Sequence, residues 1–292
     1  MGIQNMSRYK YKIIKIDHES YPQELKEIDK PPKQLYCAGD IELLNTKSAA
    51  IVGSRKFTSY GRQIAHLISR ELAGAGVTIV SGMALGIDTF AHDGALSAAG
   101  KTIAVLGTGL NKVYPAANRC LMDRIYEEGL LISEYEPDFG GSRYTFPLRN
   151  RIISGVADCT IIVEAGIKSG ALITASYALE QGKEIYAVPG NINSFASAGA
   201  NQLIHDGATP LFYIRDVIED LGLFYERKDT RLLALGEEEK ELVSHVIGRN
   251  GVTVDDICRA TNKNASKINS LITILELKGI LNTYAGRIYY SG

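Results

Sequence analysis

No sign of charge dominates this chain of 292 residues, in which 32 Lys and Arg stand against 33 Asp and Glu. A protein that meets polyanions with its whole surface is thereby excluded, and any nucleic-acid site has to be a local patch. Clustered cysteine is missing as well. Cys37, Cys120, Cys159 and Cys258 stand far apart, with no C-x-x-C pair and no Cys/His group at zinc spacing, so they read as reduced thiols and no metal is expected. No stretch of about 18 uninterrupted apolar residues occurs, and the start, MGIQNMSRYKYKIIKID, has neither an apolar signal core nor a cleavage site. The expectation is a cytoplasmic protein with no membrane partner. Internal repeats and low-complexity tracts are also lacking, while 45% hydrophobic content suffices for one large core and a smaller module.

Two nucleotide-binding signatures are absent. GTGLNK at 107–112 begins like G-x-G-x-x-G, but Lys112 stands where the third glycine belongs and the chain runs on into a Tyr-Pro pair instead of a helix. The loop GSRKFTSYG lacks the fingerprint too, and the strand VTIVSG ends without the acidic residue that would hold a ribose. Neither loop matches G-x-x-x-x-G-K-[ST], so a P-loop triphosphatase is not expected and no cofactor is assigned.

What is present, from residue 48 to 222, is an alternation of short β-branched runs with longer helical patterns: SAAIVG, VTIVSG, KTIAVLG, LLISEY, DCTIIVEAG and KEIYAVPG, separated by amphipathic segments. Apolar runs too continuous for one-sided burial imply mostly parallel strands covered on both faces, a doubly wound α/β fold. Ile64, Leu67, Ile68 and Leu72 mark the buried stripe of the first helix, which Ala-Gly-Ala-Gly at 73–76 ends. Residues 1–45 form a lead-in expected to pack on the core, 46–225 the α/β domain, and 226–236 a linker. Residues 237–292 then carry three helical patterns and an alternating ILNTYAGRIYYSG, which suggests a small winged helix-turn-helix domain.

Ligands of open parallel sheets bind beyond the carboxyl ends of the strands, and here those ends are rich in glycine: Gly53, Gly82, Gly86, Gly107, Gly109, Gly166, Gly170 and Gly190. Such residues make tight turns or let backbone N–H groups approach a phosphate, and their gathering at one edge favours the second reading. The same edge is cationic and aromatic. Arg55 follows the first of these strands, and SRYTFPLRNR carries Arg143, Tyr144, Phe146, Arg149 and Arg151 within nine residues. Arginines interleaved with rings suit a single strand, with bases stacked and phosphates paired. In PLRNRIISGVA the apolar pattern buries Leu148, Ile152 and Ile153, so at least some of the basic residues should face outwards. Asp88 and His92, one turn apart, could be an acid–base pair but read more simply as a cap and a packed core histidine. Glu164, at a strand end, is placed for catalysis, for capping a helix or for holding Arg55. The last module has few cations on its third helical pattern, only Lys267 and Lys278, with Lys263 just before it, so protein binding is as good a reading as duplex binding.

Taken in order, PPKQLYCAGD, AIVGSRKFTSYG, SGMALGIDTFAH, AVLGTGLNKVYPAAN, LISEYEP, FPLRNRIISGVAD, IIVEAGIKSGALITASYALEQGKEIYAVPG and SAGANQLIHDGA resemble the DNA-processing protein A (DprA, also Smf) family over residues 20 to 220. The resemblance implies an extended Rossmann-like domain whose positive pocket holds single-stranded DNA. It further implies a homodimer that protects incoming strands in natural transformation and loads the RecA recombinase, without catalytic turnover. Carried over by position, Gly53, Ser54 and Arg55 match the phosphate loop, Phe146, Arg149, Asn150 and Arg151 the F-P-x-R-N-R segment, and Ser169, Gly170 and Thr174 the S-G-x-x-x-T helix start. Lys183 is a further pocket cation, and Asp88 and His92 match the G-I-D…H motif, with a structural role. Some relatives place a Lys between the Tyr-Pro pair and the following Asn, where this chain has Ala116, and Lys112 would compensate. The competing reading is a hydrolase of a nucleotide or nucleotide derivative, whose P-G-G-x-G-T-x-x-E loop is replaced here by EAGIKSGALITA.

Overall fold

A computed structural model of the chain describes residues 8–223, 235–247, 249, 251–284 and 286–290. The chain divides into two compact units, residues 1–225 and 226–292. The expected linker at 226–236 falls almost wholly outside the described residues.

The first unit opens with β1 (Lys12–Lys15), a one-turn helix α1 (Gln23–Lys26), β2 (Gln34–Gly39) and a 3-10 turn at Ile41–Asn45. It continues through β3 (Ser48–Val52), α2 (Ser59–Gly74), β4 (Thr78–Ser81), α3 (Ile87–Ser97), β5 (Thr102–Leu106), α4 (Arg119–Glu128) and β6 (Leu130–Ser133). Then come α5 (Thr145–Val156), β7 (Cys159–Ile162), α6 (Ala171–Glu180), β8 (Glu184–Ala187), α7 (Ala198–His205), β9 (Thr209–Pro210) and α8 (Ile214–Asp220). All nine strands join one sheet in the order β1-β2-β6-β5-β4-β3-β7-β8-β9. From β6 across to β9 the neighbours are parallel, whereas β2 pairs antiparallel with β6 and β1 with β2. The lead-in thus extends the sheet by two strands and, through Tyr21, Leu25, Ile28, Leu43 and Leu44, also packs on its core.

Strands buried at every position need apolar or small residues on both faces, and β3 to β7 have them. Ala50, Val52, Val80 and Ile162 point to the face covered by Ile152 and Ile153 of α5 and Ala171 and Ala175 of α6. Ala49, Ile51, Ile79 and Ile161 point to the other, against Ala65, Ile68 and Leu72 of α2 and Ala91 and Ala95 of α3. Ile51 is fully buried, and trimming such a side chain to alanine costs about 2–5 kcal/mol. Helix α2 starts where Thr58 Oγ1 accepts the Gly61 N–H at 3.1 Å. It ends at Gly74, and Gly76, at φ +88°, turns the chain into β4.

The second unit contains α9 (Glu237–Ser244), α10 (Val254–Thr261), α11 (Ala265–Leu277) and an antiparallel hairpin of β10 (Leu281–Tyr284) and β11 (Arg287–Tyr290). Val252 bridges Ile288 and lengthens this small sheet. Leu242, Val246, Ile257, Ile268, Ile272, Leu275 and Ile288 form its own core. Thr253 and Asp256 cap α10 reciprocally, and Asn264 Oδ1 accepts the Lys267 N–H at 2.9 Å to start α11.

Candidate nucleic-acid interface

The loops after β3, β4 and β5 meet above the carboxyl edge of the sheet, and their glycines are there for one another. A Cβ on Gly53 would lie 2.6 Å from Ile87, one on Gly107 2.6 Å from the Phe146 ring, and one on Gly109 1.9 Å from the Glu136 carbonyl oxygen. Gly86, at φ +89°, has no room either, with the Ser54 carbonyl oxygen 2.4 Å from the position of a Cβ. The glycine-rich edge is thus a matter of loop packing; of the expected phosphate-approach glycines, Gly170 at the start of α6 is the one with open space around it.

What these packed loops enclose is a cleft lined by Arg55, Leu85, Gly107, Tyr114, Phe146 and Arg149, among others. Its enclosed volume is about 40 Å3, room for about three waters, so it can seat a phosphate-sized group but not swallow a nucleotide. Arg55 stands exposed at the mouth and makes no hydrogen bond or ion pair to a described residue. Phe146, half-buried in the first turn of α5, packs its ring 4.8 Å from that of Tyr114, and Tyr114 remains 52% exposed. A tilted ring pair with one face open to solvent is a stacking platform.

Arg149 lies at the floor, 4% exposed. Its Nη1 donates to the Gly82 carbonyl at 2.7 Å and to the Val105 carbonyl, and its Nε donates to Asn150 Oδ1 at 3.1 Å. The Asp88 carboxylate faces it across Gly82, where a Cβ would fall 2.6 Å from Arg149 Nη2 and 2.8 Å from Asp88 Oδ2. Burial pushes the Asp88 carboxyl up to about 6, against the pull of the Arg149 charge and of the Ala84 and Gly82 N–H groups. Burial also lowers Arg149, to about 10, and the Asp88 charge opposes that. The guanidinium is therefore still a cation at neutral pH, and the site owns a buried positive charge balanced by a carboxyl that titrates just below neutrality.

The remaining expected residues distribute unevenly. Asn150 belongs, because its amide donates to the Gly170 carbonyl at 3.4 Å while its oxygen holds Arg149, which ties the cleft floor to the start of α6. There Ser169 Oγ accepts the Ala171 N–H at 3.3 Å, and Thr174 is buried one turn on. Lys112, exposed, sits in the loop that carries Tyr114. Gly53 and Ser54 form the backbone of the Arg55 loop, held by Ser54 N–H to the Glu164 carbonyl at 2.6 Å.

Three expectations are corrected. Arg151 does not face outwards but is buried in a two-point ion pair with Glu134, at 2.7 and 3.3 Å, that pins the β6–α5 loop to its helix. Leu148, expected inside, is 39% exposed, because the buried stripe of α5 runs through Arg149, Ile152, Ile153 and Val156. Lys183 precedes β8 and so lies at the amino edge of a parallel sheet, opposite the cleft. Glu164 accepts from the Thr58 N–H at 2.9 Å and the Thr58 hydroxyl at 2.5 Å, which makes it the anchor of the α2 cap. His92 donates from Nδ1 to Thr102 Oγ1 at 2.7 Å, since that hydroxyl proton goes to the Ile79 carbonyl, and burial depresses the ring to about 3. Sequence reasoning missed Tyr114 and Leu85; the Tyr-Pro pair was the available signal for the first. Among the described residues no group of His, Cys, Asp and Glu could hold a metal, and no helix is long and apolar enough to cross a membrane.

The family model of DNA recombination-mediator protein A matches residues 12–222. The chain belongs to this family. All of the cleft lies inside the matched region, and the match stops short of the second unit. The chain is similar to DNA processing protein DprA of Bacillus subtilis, 40% identical over 209 residues that cover 71% of this chain and 70% of that one. It is likewise similar to the crystal structure of the Streptococcus pneumoniae DprA, with a TM-score of 0.70, 39% identity, and coverage of 74% of this chain and 76% of that one. The Helicobacter pylori DNA processing protein A, whose structure concerns its single-stranded DNA binding mode, gives a TM-score of 0.67 at 36% identity, over 74% of this chain and 98% of that one.

Proposed function

We propose that this recombination-mediator family member binds single-stranded DNA at the cleft, protects it, and passes it as a homodimer to the RecA recombinase during natural transformation. The observation that carries the binding site is Arg55: an exposed arginine without an ion partner among the described residues, at the mouth of a cleft whose floor is the buried Arg149 cation and whose wall is the Phe146–Tyr114 pair. A backbone phosphate would sit against Arg55 over the Arg149 charge, with a base on the open face of Tyr114 and Lys112 alongside. The start of α6, with Ser169, Gly170 and Thr174, supports a neighbouring phosphate, reached through the Asn150 bridge. Single strands fit this better than duplex, because stacking needs an unpaired base. The relative of known single-stranded DNA binding mode supports the same reading.

No turnover is part of this role. The carboxylate best placed for catalysis, Glu164, spends both oxygens on Thr58, and His92 is sealed in the core. We read the second unit as a winged helix-turn-helix that serves protein contacts in preference to duplex binding, since the lysines around α11 are paired within the unit.

The test is fluorescence anisotropy of a labelled single-stranded oligonucleotide with wild type and Arg55→Ala, with unlabelled duplex as competitor. The expected result is salt-sensitive binding that duplex displaces poorly and Arg55→Ala weakens strongly. Equal binding by the variant would remove the cleft from the account.

A further inference from the structure

Helices α2 and α3 both begin at the carboxyl edge, where the cleft lies, and pack side by side with a groove between them. Phe57, two residues after Arg55, meets Phe90 of α3 at 4.8 Å between ring centroids, edge to face, and Phe57 is 42% exposed. Beyond this pair Arg62, His66 and Arg70 follow at i, i+4 and i+8 on one face of α2, and line the groove with Phe90 and Asp93. The Arg62 guanidinium lies over the Phe90 ring at 5.3 Å and makes no ion pair to a described residue. Arg70 pairs with its chain neighbour Glu71 at 3.1 Å. Asp93 is the groove's acid, and it is shared between His66 at 3.8 Å and Arg124 at 3.4 Å. In a chain of net charge -1, two arginines two turns apart on one helix, with a histidine between them and an aromatic pair at their head, make a local surface of the kind a polyanion follows.

We propose that this groove is a second binding track for single-stranded nucleic acid, and that a strand held at the cleft continues past Phe57 and Phe90 with its phosphates along Arg62, His66 and Arg70. This rests on the cleft reading and adds a length dependence to it. The Arg62-to-Arg70 row spans about 12 Å at 1.5 Å per helical residue, so only a strand longer than the cleft can reach it.

The experiment compares oligonucleotides of about 4 and about 16 nucleotides, the range of single-strand site sizes, on wild type, Arg55→Ala and the double variant Arg62→Ala/Arg70→Ala, each over a salt series. The double variant is expected to bind the short oligonucleotide like wild type. With the long one the slope of log affinity against log salt should become shallower by at least about 0.7, for the phosphate on Arg62, and by about 1.4 where Arg70 exchanges Glu71 for a second phosphate. Asp93→Asn, which removes the groove's acid, should tighten the long oligonucleotide alone. An unchanged long-oligonucleotide slope in the double variant overturns the track, as does an equal effect on both lengths, which would place it in the cleft. Failure of the cleft reading looks different: Arg55→Ala then matches wild type on the short oligonucleotide.

Discussion

Two sets of basic residues in this chain occupy opposite states. Around α11, Lys263 is held by Glu241 at 2.6 Å, Lys267 by Glu238, and Lys278 by Glu239 at 2.6 Å, so the glutamates of α9 answer the lysine on the helix that would read a duplex and the two that flank it. The other exposed residues of α11, Ala265, Ser266, Asn269, Ser270, Thr273, Ile274 and Leu277, are uncharged. At the cleft, Arg55 makes no side-chain ion pair among the described residues, nor does Lys112 in the loop that carries Tyr114, and Arg149 lies at the floor beside an Asp88 carboxyl that burial pushes up to about 6. Net charge along the sequence treats these sets alike. Affinity for phosphate comes from the cations that have no better partner at home.

The comparison breaks most visibly at Arg149. Arg149→Ala leaves Asp88 buried without its counter-charge and takes a donor from the Gly82 and Val105 carbonyls, a change of the kind that costs about 3–5 kcal/mol, to be read as a fall in the urea midpoint together with loss of single-strand binding. Arg55→Ala tests the other kind of cation. Its stability should stay within about 0.5 kcal/mol of wild type, while single-strand affinity falls about tenfold or more, as expected for a charge-assisted hydrogen bond of about 1.5–3 kcal/mol.

Asp88 sharpens the contrast through pH. The folded chain keeps the Asp88 proton up to about pH 6 and the unfolded chain releases it near the ordinary value of about 3.9. Folding thus takes up a proton between those values, and this group's contribution to stability is lost as pH rises through the window. Relative to Asp88→Asn, which cannot ionise, wild type should gain stability as pH falls from about 6 to about 4, measured by chemical denaturation of both proteins in parallel. The smallest effect belongs to Lys267→Ala, which should leave single-strand affinity unchanged, because that lysine is already committed to Glu238.

The parallel strands were legible because β3 to β7 are apolar at nearly every position, a pattern that only a sheet covered on both faces requires. The edge strands were not: KIIK and QLYCAG lack that continuity and become strands by antiparallel pairing, QLYCAG onto the distant β6 and KIIK onto QLYCAG. Arg55 could be found from its position after a strand. Arg149 and Arg151 could not be assigned, since two arginines in one short segment are told apart only by what each meets, Asp88 and backbone carbonyls for one and Glu134 for the other. The glycines misled for a related reason. Their spacing marks strand ends, but whether the free space is filled by ligand or by Ile87 and Phe146 is decided by tertiary packing. Lys183 matched by family position and fell at the wrong end of β8 for the cleft.

The most direct test of the contrast is the salt dependence of single-strand affinity for the full chain with two sets of changes, Arg55→Ala/Lys112→Ala and Lys263→Ala/Lys267→Ala/Lys278→Ala. The account predicts that the first set makes the slope shallower by about 1.4, about 0.7 for each phosphate no longer neutralised, and that the second leaves it at the wild-type value. A slope made shallower by the lysine changes and untouched by the cleft changes would contradict it, and would place the DNA on the second unit.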